Sequence, residues 1–352
     1  MEVEKELKTF SEVWISAIAA ACYCRFVPAV APHGGALRLL LLLPVVLLFI
    51  FLPLRLSSFH LGGPTALYLV WLANFKLLLF AFHLGPLSNP SLSLLHFIST
   101  TLLPIKFRDD PSNDHEKNKR TLSFEWRKVV LFVAKLVFFA GILKIYEFRK
   151  DLPHFVISVL YCFHFYLGTE ITLAASAVIA RATLGLDLYP QFNEPYLATS
   201  LQDFWGRRWN LMVSDILGLT TYQPVRRVLS RWVRLRWEVA GAMLVAFTVS
   251  GLMHEVFFFY LTRARPSWEV TGFFVLHGVC TAVEMVVKKA VSGKVRLRRE
   301  VSGALTVGFV MVTGGWLFLP QLVRHGVDLK TIDEYPVMFN YTQKKLMGLL
   351  GW

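Results

Sequence analysis

Two ionisable residues, His254 and Glu255, lie side by side in the apolar segment SGLMHEVFFFY. They follow Glu238 by about 16 residues, which corresponds to about 24 Å along a helix. A neutral imidazole in a dry pocket can accept a proton from a hydroxyl group. Successive helical side chains point about 100° apart, so the two residues cannot both face one narrow cavity. The pair therefore indicates either an intramembrane functional site or a histidine hydrogen-bonded between helices.

A second group of polar and aromatic residues lies upstream, in the segment DFWGRRWNLMVSDIL. With Thr199 as N-cap and Gln202 as its capping partner, the pattern predicts one helix from Ser200 to Leu217. One face carries an apolar stripe, and the opposite face is polar. The stripe is Trp205, Trp209, Met212 and Ile216, and the polar face is Asp203, Arg207, Asn210 and Ser214. This pattern predicts an interfacial amphipathic helix, in which Asp203 and Arg207 are spaced to pair.

The composition indicates the environment in which these residues act. Of 352 residues, 55% are hydrophobic and only 17% are charged, yet the net charge is +13. So apolar a chain is not intrinsically disordered, and a soluble two-domain protein is disfavoured. The basic excess could suggest nucleic acid, but the apolar fraction favours a membrane protein with basic cytosolic loops. We therefore expect the lipid bilayer, and no nucleic acid, as a partner.

The hydropathy pattern predicts an all-α, polytopic integral membrane protein with about eight transmembrane helices and the interfacial amphipathic helix, in a single membrane domain over residues 1–352. The predicted spans are Phe10–Val30, Leu37–Leu54, Thr65–His83, Val129–Ile145, His154–Ala182, Glu238–Leu261, Val270–Val287 and Gly303–Leu322. Lys and Arg are more numerous in the odd-numbered loops, which predicts that these loops are cytosolic and that both termini are lumenal.

Several reaction classes are excluded by missing patterns. No two histidines lie within five residues of each other, which excludes the histidine-box di-iron desaturases. The sequence contains no H-E-x-x-H, no G-x-S-x-G and no H-x-x-x-D. The four cysteines form no CxxC pair. We therefore expect no metal and no cofactor, and no serine or cysteine nucleophile.

The segments SLQDFWGRRWNLMVSDIL and SGLMHE together make the chain recognisable. It resembles the plant wax synthases, which are long-chain fatty alcohol O-acyltransferases of the membrane-bound O-acyltransferase superfamily. The resemblance is strongest from about Leu186 to Leu322. It implies transfer of a fatty acyl group from acyl-CoA to a long-chain fatty alcohol, giving a wax ester and CoA. It also implies the endoplasmic reticulum as the location.

The resemblance assigns roles to individual residues. His254 corresponds to the catalytic histidine, and Asn210 to its polar partner. The related sterol and diacylglycerol acyltransferases carry the motif F-Y-x-D-W-W-N. Phe204, Trp209 and Asn210 match its ends, whereas Trp205, Arg207 and Arg208 replace Tyr, Asp and Trp. The resemblance implies substrate-binding roles for Phe204, Trp205, Arg207, Arg208 and Trp209.

Some alternatives stay open from the sequence. The CoA phosphates are expected near Arg207 and Arg208, with Arg226 and Arg227 as further candidates. Positive-inside signalling also explains these arginines. The acceptor could instead be a sterol or diacylglycerol. A membrane transporter is a different class, in which an intramembrane relay would be formed by His254, Glu255, His277 and Glu284. The oligomeric state is not indicated.

Overall fold

The computed structural model describes residues 2–105, 121–184, 190–233, 235–290 and 298–350. Within these residues, all regular secondary structure is helical. The α-helices in chain order are α1 (Glu2–Val30), α2 (Ala36–Phe51), α3 (Phe59–Ala66), α4 (Asn74–Ala81), α5 (Leu94–Leu102), α6 (Thr121–Ile145), α7 (His154–Leu184), α8 (Leu201–Arg207), α9 (Leu211–Leu217), α10 (Gln223–Leu229), α11 (Leu235–Thr262), α12 (Glu269–Ala290), α13 (Arg299–Thr313), α14 (Pro320–Arg324) and α15 (Val327–Leu350).

Eight helical stretches of the described chain are long and apolar enough to cross a membrane. They are Val3–Val30, Ala36–Arg55, Phe59–Ala81, Val129–Phe148, His154–Ala182, Trp237–Thr262, Glu269–Ala290 and Arg299–Arg324. The eight predicted spans and the all-α polytopic class are confirmed. The first and third stretches begin at Val3 and Phe59 instead of Phe10 and Thr65, because polar or small residues extend each helix beyond its most apolar part.

The segment between α7 and α11 differs from the prediction, because it does not form one helix from Ser200 to Leu217. Ser200, not Thr199, caps α8, and its hydroxyl accepts the N–H of Asp203 at 3.1 Å. The helix ends at Arg207, and Asn210 adopts a left-handed conformation with φ of 36°. A left-handed residue cannot continue an α-helix, so α9 begins anew at Leu211.

The apolar stripe of this segment packs inside the protein. Met212 and Ile216 are only 5% and 3% exposed, and they belong to one core cluster with Tyr68 and Trp71 of the third span. The apolar stripe of the expected amphipathic helix therefore faces protein at Met212 and Ile216, not lipid. Periodicity identified the apolar face correctly but could not distinguish burial in lipid from burial against protein.

In the part of the chain that the structure describes, three stretches of π-helix interrupt the regular helices. They are Leu67–Ala73 between α3 and α4, Gly218–Tyr222 between α9 and α10, and Gly314–Phe318 between α13 and α14. Wider turns of this kind are rare and frequently occur at functional sites. Here two of them place aromatic side chains, Trp71 and Phe318, against His254.

Helices α11 and α12 pack closely beside His254. A Cβ atom built on Gly251 would lie 2.9 Å from Cα of Thr271 and 3.3 Å from Cβ of Phe274. Glycine is therefore required at position 251 for the two backbones to approach this closely. His254 lies one turn after Gly251 on α11, so this close approach places the ring of Phe274 against the imidazole of His254.

Candidate active site

His254 is held in one tautomer by the backbone of its own helix. Nδ1 lies 2.8 Å from the carbonyl oxygen of Ser250, and because a carbonyl only accepts, Nδ1 carries the hydrogen and donates it. In a neutral imidazole, Nε2 then has the free lone pair. Three aromatic rings surround the imidazole, with centroid distances of 4.3 Å to Phe274, 4.9 Å to Trp71 and 5.6 Å to Phe318. The arrangement suits a base in an apolar site.

Glu255 points away from His254, as the helical geometry predicts. Its side chain is buried, and Oε1 accepts the backbone N–H and the hydroxyl of Thr271, both at 3.3 Å. Thr271 lies in the first turn of α12, where the helix dipole favours a carboxylate. Glu255 therefore links α11 to α12, and only His254 of the two lines the large cavity described next.

A cavity of about 940 Å³ runs through the protein beside His254. Its walls come from most of the membrane-spanning helices and are predominantly apolar and aromatic. Five of the sequence-predicted site residues line it, namely His254, Asn210, Phe204, Trp205 and Trp209. The fold therefore brings together, at one apolar cavity, two segments that are more than 40 residues apart in the chain. A mostly apolar cavity with a few polar groups is the usual form of a small-molecule binding site.

Asn210 uses its amide oxygen in a structural contact. Its Oδ1 accepts the N–H of Val213 at 3.4 Å and so caps α9. This contact assigns the oxygen to the helix, which leaves the Nδ2 amide group as a hydrogen-bond donor. Since Asn210 lines the cavity, that group can serve a carbonyl oxygen of a bound substrate.

The indole of Trp205 is positioned by a series of hydrogen bonds that the sequence does not predict. Its Nε1 donates to Nδ1 of His277 at 3.1 Å. His277 must then carry its hydrogen on Nε2, which donates to the hydroxyl of Thr313 at 2.8 Å. His277 is fully buried and does not line the cavity. No sequence signal links Trp205 to His277, because the contact joins α8 to α12.

The proposed relay of four ionisable residues does not form. His277 holds Trp205, and Glu255 holds the start of α12. Glu284 accepts the N–H of Gln202 at 3.2 Å and pairs with Lys288 at 2.5 Å. Each carboxylate thus has a local structural contact, and only His254 of the four lines the cavity.

Arg207 and Arg208 line a second, polar cavity of about 530 Å³. Its lining includes Arg207, Arg208, Lys288 and Arg299. The expected pairing of Asp203 with Arg207 is wrong, because α8 ends at Arg207 and Arg208 turns back, with Nε 2.7 Å from Oδ2 of Asp203. Arg208 also donates to two backbone carbonyls of the preceding loop.

The other two candidate arginines lie elsewhere. Arg226 contacts the buried carboxylate of Glu238 at 3.2 Å, and neither Arg226 nor Arg227 lines either cavity. The other basic residues that line the polar cavity are Lys288 and Arg299. These two residues come from the ends of α12 and α13, so only the tertiary fold brings them beside α8.

Comparison with known proteins places the chain in a family. A sequence profile described as the membrane bound O-acyl transferase family matches residues 188–276, which include both Asn210 and His254. A protein of Arabidopsis thaliana named probable long-chain-alcohol O-fatty-acyltransferase 1 is 46% identical over 332 residues, covering 94% of this chain and 96% of the relative.

Two further relatives from the same plant are nearly as similar. Probable long-chain-alcohol O-fatty-acyltransferase 9 is 44% identical over 97% of this chain and 99% of its own length. A protein named acyl-CoA–sterol O-acyltransferase 1 is 44% identical over 94% of both chains. With identities at this level over nearly the whole length, the chain belongs to the membrane bound O-acyl transferase family.

Proposed function

We propose that this protein transfers a fatty acyl group from acyl-CoA to a long-chain alcohol, producing a wax ester and free CoA. The observation that carries the proposal is His254, whose Nε2 is left as a proton acceptor in an apolar cavity large enough for lipid chains. The names of the most similar relatives support the same reaction.

The mechanism needs a single transfer step through a tetrahedral intermediate. The alcohol oxygen attacks the thioester carbonyl carbon while Nε2 of His254 accepts the alcohol proton. The C–S bond then breaks, and the protonated imidazole returns the proton to the leaving thiolate. The carbonyl oxygen becomes negative in the intermediate, and the Nδ2 group of Asn210 donates to it. The base is thus regenerated in every cycle.

The apolar cavity contributes to this reaction in two ways. It holds both long chains in place, which makes the encounter of hydroxyl and thioester effectively intramolecular. It also limits water, which would compete with the alcohol as nucleophile and weaken the polar contacts. The proposed reaction uses acyl-CoA as a co-substrate and requires no metal or other cofactor.

The CoA portion of the donor is proposed to bind at the polar cavity. Arg207 and Arg299 are exposed there and carry guanidinium groups, which match phosphate oxygens in geometry. Helix α8 contributes Arg207 to this cavity and Phe204 and Trp205 to the apolar one, so the two sites share one wall. A donor could therefore place its nucleotide at one site and its thioester at the other.

The proposal is tested with membranes from cells that express the chain. Labelled long-chain acyl-CoA is supplied with a long-chain alcohol, a sterol or a diacylglycerol, and the esters are separated. Labelled wax ester formed with the alcohol, at a rate above that of membranes without the protein, is the expected result. No ester with any acceptor would refute the enzymatic proposal.

A sterol is the second candidate acceptor. One relative that is 44% identical over 94% of both chains is named as a sterol acyltransferase, so overall similarity does not separate the two acceptors. The same acceptor panel decides between them, because steryl ester in place of wax ester would replace the first proposal by the second. For the cell location we propose the membranes of the endoplasmic reticulum, which subcellular fractionation tests.

A further inference from the structure

Helix α15 carries the only N-glycosylation sequon in the sequence. It is the tripeptide Asn-Tyr-Thr at residues 340–342, in which the central residue is not proline. The one similar tripeptide, Asn-Pro-Ser at residues 89–91, has proline at its centre and is therefore not a sequon. A motif this short also arises by chance, so the position of Asn340 in the folded protein decides whether it can be used.

One face of α15 is directed at the apolar cavity. The residues of this face that line the cavity are Val327, Asp328, Thr331, Ile332 and Tyr335. Thr331 lies in the middle of the face and is only 6% exposed. Asn340 follows Thr331 by nine residues, which is about two and a half turns of a helix that continues across Pro336. Asn340 therefore lies on the opposite face, directed away from the cavity.

The outer face of α15 is exposed and mostly polar. Asp333, Asn340 and Lys344 are spaced seven and four residues apart, so they form one row along the helix, and all three are exposed. Val337 is the apolar member of this row. Charged residues before and after Asn340 indicate a face that contacts water, because a charged side chain directed into lipid is costly.

Two contacts show where α15 lies relative to the spans. Oε1 of Glu334 accepts the backbone N–H of Phe59 at 2.8 Å, and Lys345 pairs with Glu4 at 3.3 Å. Phe59 begins the third span, and Glu4 lies at the beginning of the first. These two spans enter the membrane from the same side, because one span lies between them. Helix α15 thus lies across that end of the protein.

The distribution of charge identifies this end as lumenal. The last turn of α12 carries Lys288 and Lys289, and α13 begins with Arg299. Basic residues beside the ends of spans favour the cytosolic side, as the excess of Lys and Arg in the odd-numbered loops also predicts. The last span then crosses the membrane once, from Arg299 to Arg324, before α15 begins. The outer face of α15 is therefore expected to face the lumen.

We propose that Asn340 is an N-glycosylation site. The donor is a lipid-linked oligosaccharide of the host membrane. The C–N bond forms between Nδ2 of Asn340 and the anomeric carbon of the first sugar, while the C–O bond to the lipid diphosphate breaks. The lipid diphosphate leaves, and Nδ2 gives up one proton. In the finished helix the hydroxyl of Thr342 donates to the carbonyl of Met338 at 2.9 Å, so the transfer takes place before α15 forms.

A glycan at this position would extend away from the catalytic part of the protein. Asn340 lines neither of the two cavities described above, and its face of α15 is opposite to the one that lines the apolar cavity. Ester formation by Asn340→Gln should therefore stay within about twofold of the wild type, as for a surface substitution. A larger loss would contradict a glycan that is directed away from the cavity.

The site is tested by the electrophoretic mobility of the full-length chain expressed in eukaryotic cells, before and after digestion with a peptide N-glycosidase. We expect one shift to higher mobility on digestion. Asn340→Gln and Thr342→Ala should migrate like the digested wild type, whereas Thr342→Ser keeps the sequon and should still shift. No shift in the wild type, or a shift that persists in Asn340→Gln, would overturn the assignment whatever reaction the protein catalyses.

A second sequon separates the side of the membrane from the use of the site. The chain is extended after residue 352 by a glycine-serine linker and an Asn-Gly-Thr tripeptide. Two shifts, of which one is lost in Asn340→Gln, would support the proposal. A single shift that survives Asn340→Gln would confirm the lumenal side and overturn the site. No shift would overturn both the site and the lumenal placement of α15.

Discussion

One backbone carbonyl determines which nitrogen of His254 can accept a proton. Ser250 lies one turn before His254 on α11, so the tautomer is set within a single helix and does not depend on a second chain segment. A histidine base is oriented either by a backbone carbonyl or by a carboxylate, and a carboxylate also raises its basicity. Here the partner is neutral, and the imidazole is instead confined by aromatic rings.

Replacing the imidazole by an amide tests the proposed base. His254→Gln is similar in volume but cannot accept a proton, so we expect kcat to fall by roughly 10²–10⁴-fold. The measurement is wax ester formation per amount of protein in membranes, with His325→Gln as a control outside the cavity. Retention of full kcat by His254→Gln would contradict the proposed role.

Replacing one atom of Asn210 separates its two proposed functions, which are capping α9 and donating a hydrogen bond to the substrate. Asn210→Asp keeps the oxygen that caps α9 and tolerates the left-handed backbone, but it loses the Nδ2 donor. We expect kcat to decrease by roughly 10²–10³-fold, as for loss of an oxyanion donor, with a melting temperature near that of the wild type. Asn210→Ala, which removes both groups at a left-handed position, should lower kcat and stability together. Unchanged kcat in Asn210→Asp would exclude the oxyanion role.

Some of the site could be predicted at the level of residues, and some could not. His254 is conspicuous because an ionisable residue in an apolar span is costly, and Asn210 follows from its motif. The contacts of Trp205 with His277 and of His254 with Trp71 join distant segments, so no local pattern contains them. The pairing of Asp203 depended on where α8 ends, and the sequence periodicity did not show that end.

At the scale of elements, the close packing of α11 and α12 can be tested with a single methyl group. Gly251→Ala forces the new Cβ against the backbone of Thr271, and we expect a loss of about 1–3 kcal/mol in the free energy of unfolding. It should also lower activity, since Phe274 is displaced relative to His254. The readouts are thermal unfolding in detergent and ester formation.

A matched control lies on the facing helix. A Cβ atom placed on Gly272 would meet nothing within 4 Å, so Gly272→Ala should be neutral or stabilising by up to about 1 kcal/mol. If the two alanine variants unfolded at the same temperature, close approach of the helices would not be the reason for glycine at 251.

The attachment of α15 to α3 should depend on pH. Burial alone would raise the pKa of Glu334, but the donors of His60, Phe59 and Ser58 outweigh it and lower the pKa from 4.5 to about 2. A lowered pKa means that the contact stabilises the fold above about pH 4.5 and that this contribution is lost as the pH falls towards 2. Glu334→Gln lacks the charge at every pH.

The measurement is the difference in melting temperature between the wild type and Glu334→Gln across this pH range. We expect the wild type to be more stable at pH 6, the difference to shrink below about pH 4.5, and the two to converge only as the pH reaches about 2. A constant difference over the whole range would show that the charge of Glu334 does not stabilise the junction.

Elements were predicted with uneven success for physical reasons. A membrane span has to be long and apolar, so composition alone located all eight. The break at Asn210 needs only one residue with a positive φ, and asparagine tolerates this conformation without any change in the hydrophobic period. The π-helical stretches likewise depend on tertiary packing and leave no mark in the periodicity.

At the scale of the whole molecule, the polar and the apolar cavities are both lined by residues of α8. If the polar cavity binds CoA phosphates, Arg207→Gln and Arg299→Gln should each raise KM for acyl-CoA by about tenfold or more, with a smaller effect on KM for the alcohol. Arg227→Gln is the matched control, because Arg227 is exposed but does not line the cavity. Equal KM values for acyl-CoA in all three variants would contradict this assignment.

Helix α8 is only seven residues long, yet it forms part of both cavities. An acyl-CoA bound across α8 would contact Arg207 with its nucleotide and Trp205 with its acyl end. Interactions with a part of the donor that does not react would then be available to orient the part that does. In that arrangement the nucleotide contributes to the rate of the chemical step as well as to recognition of the donor.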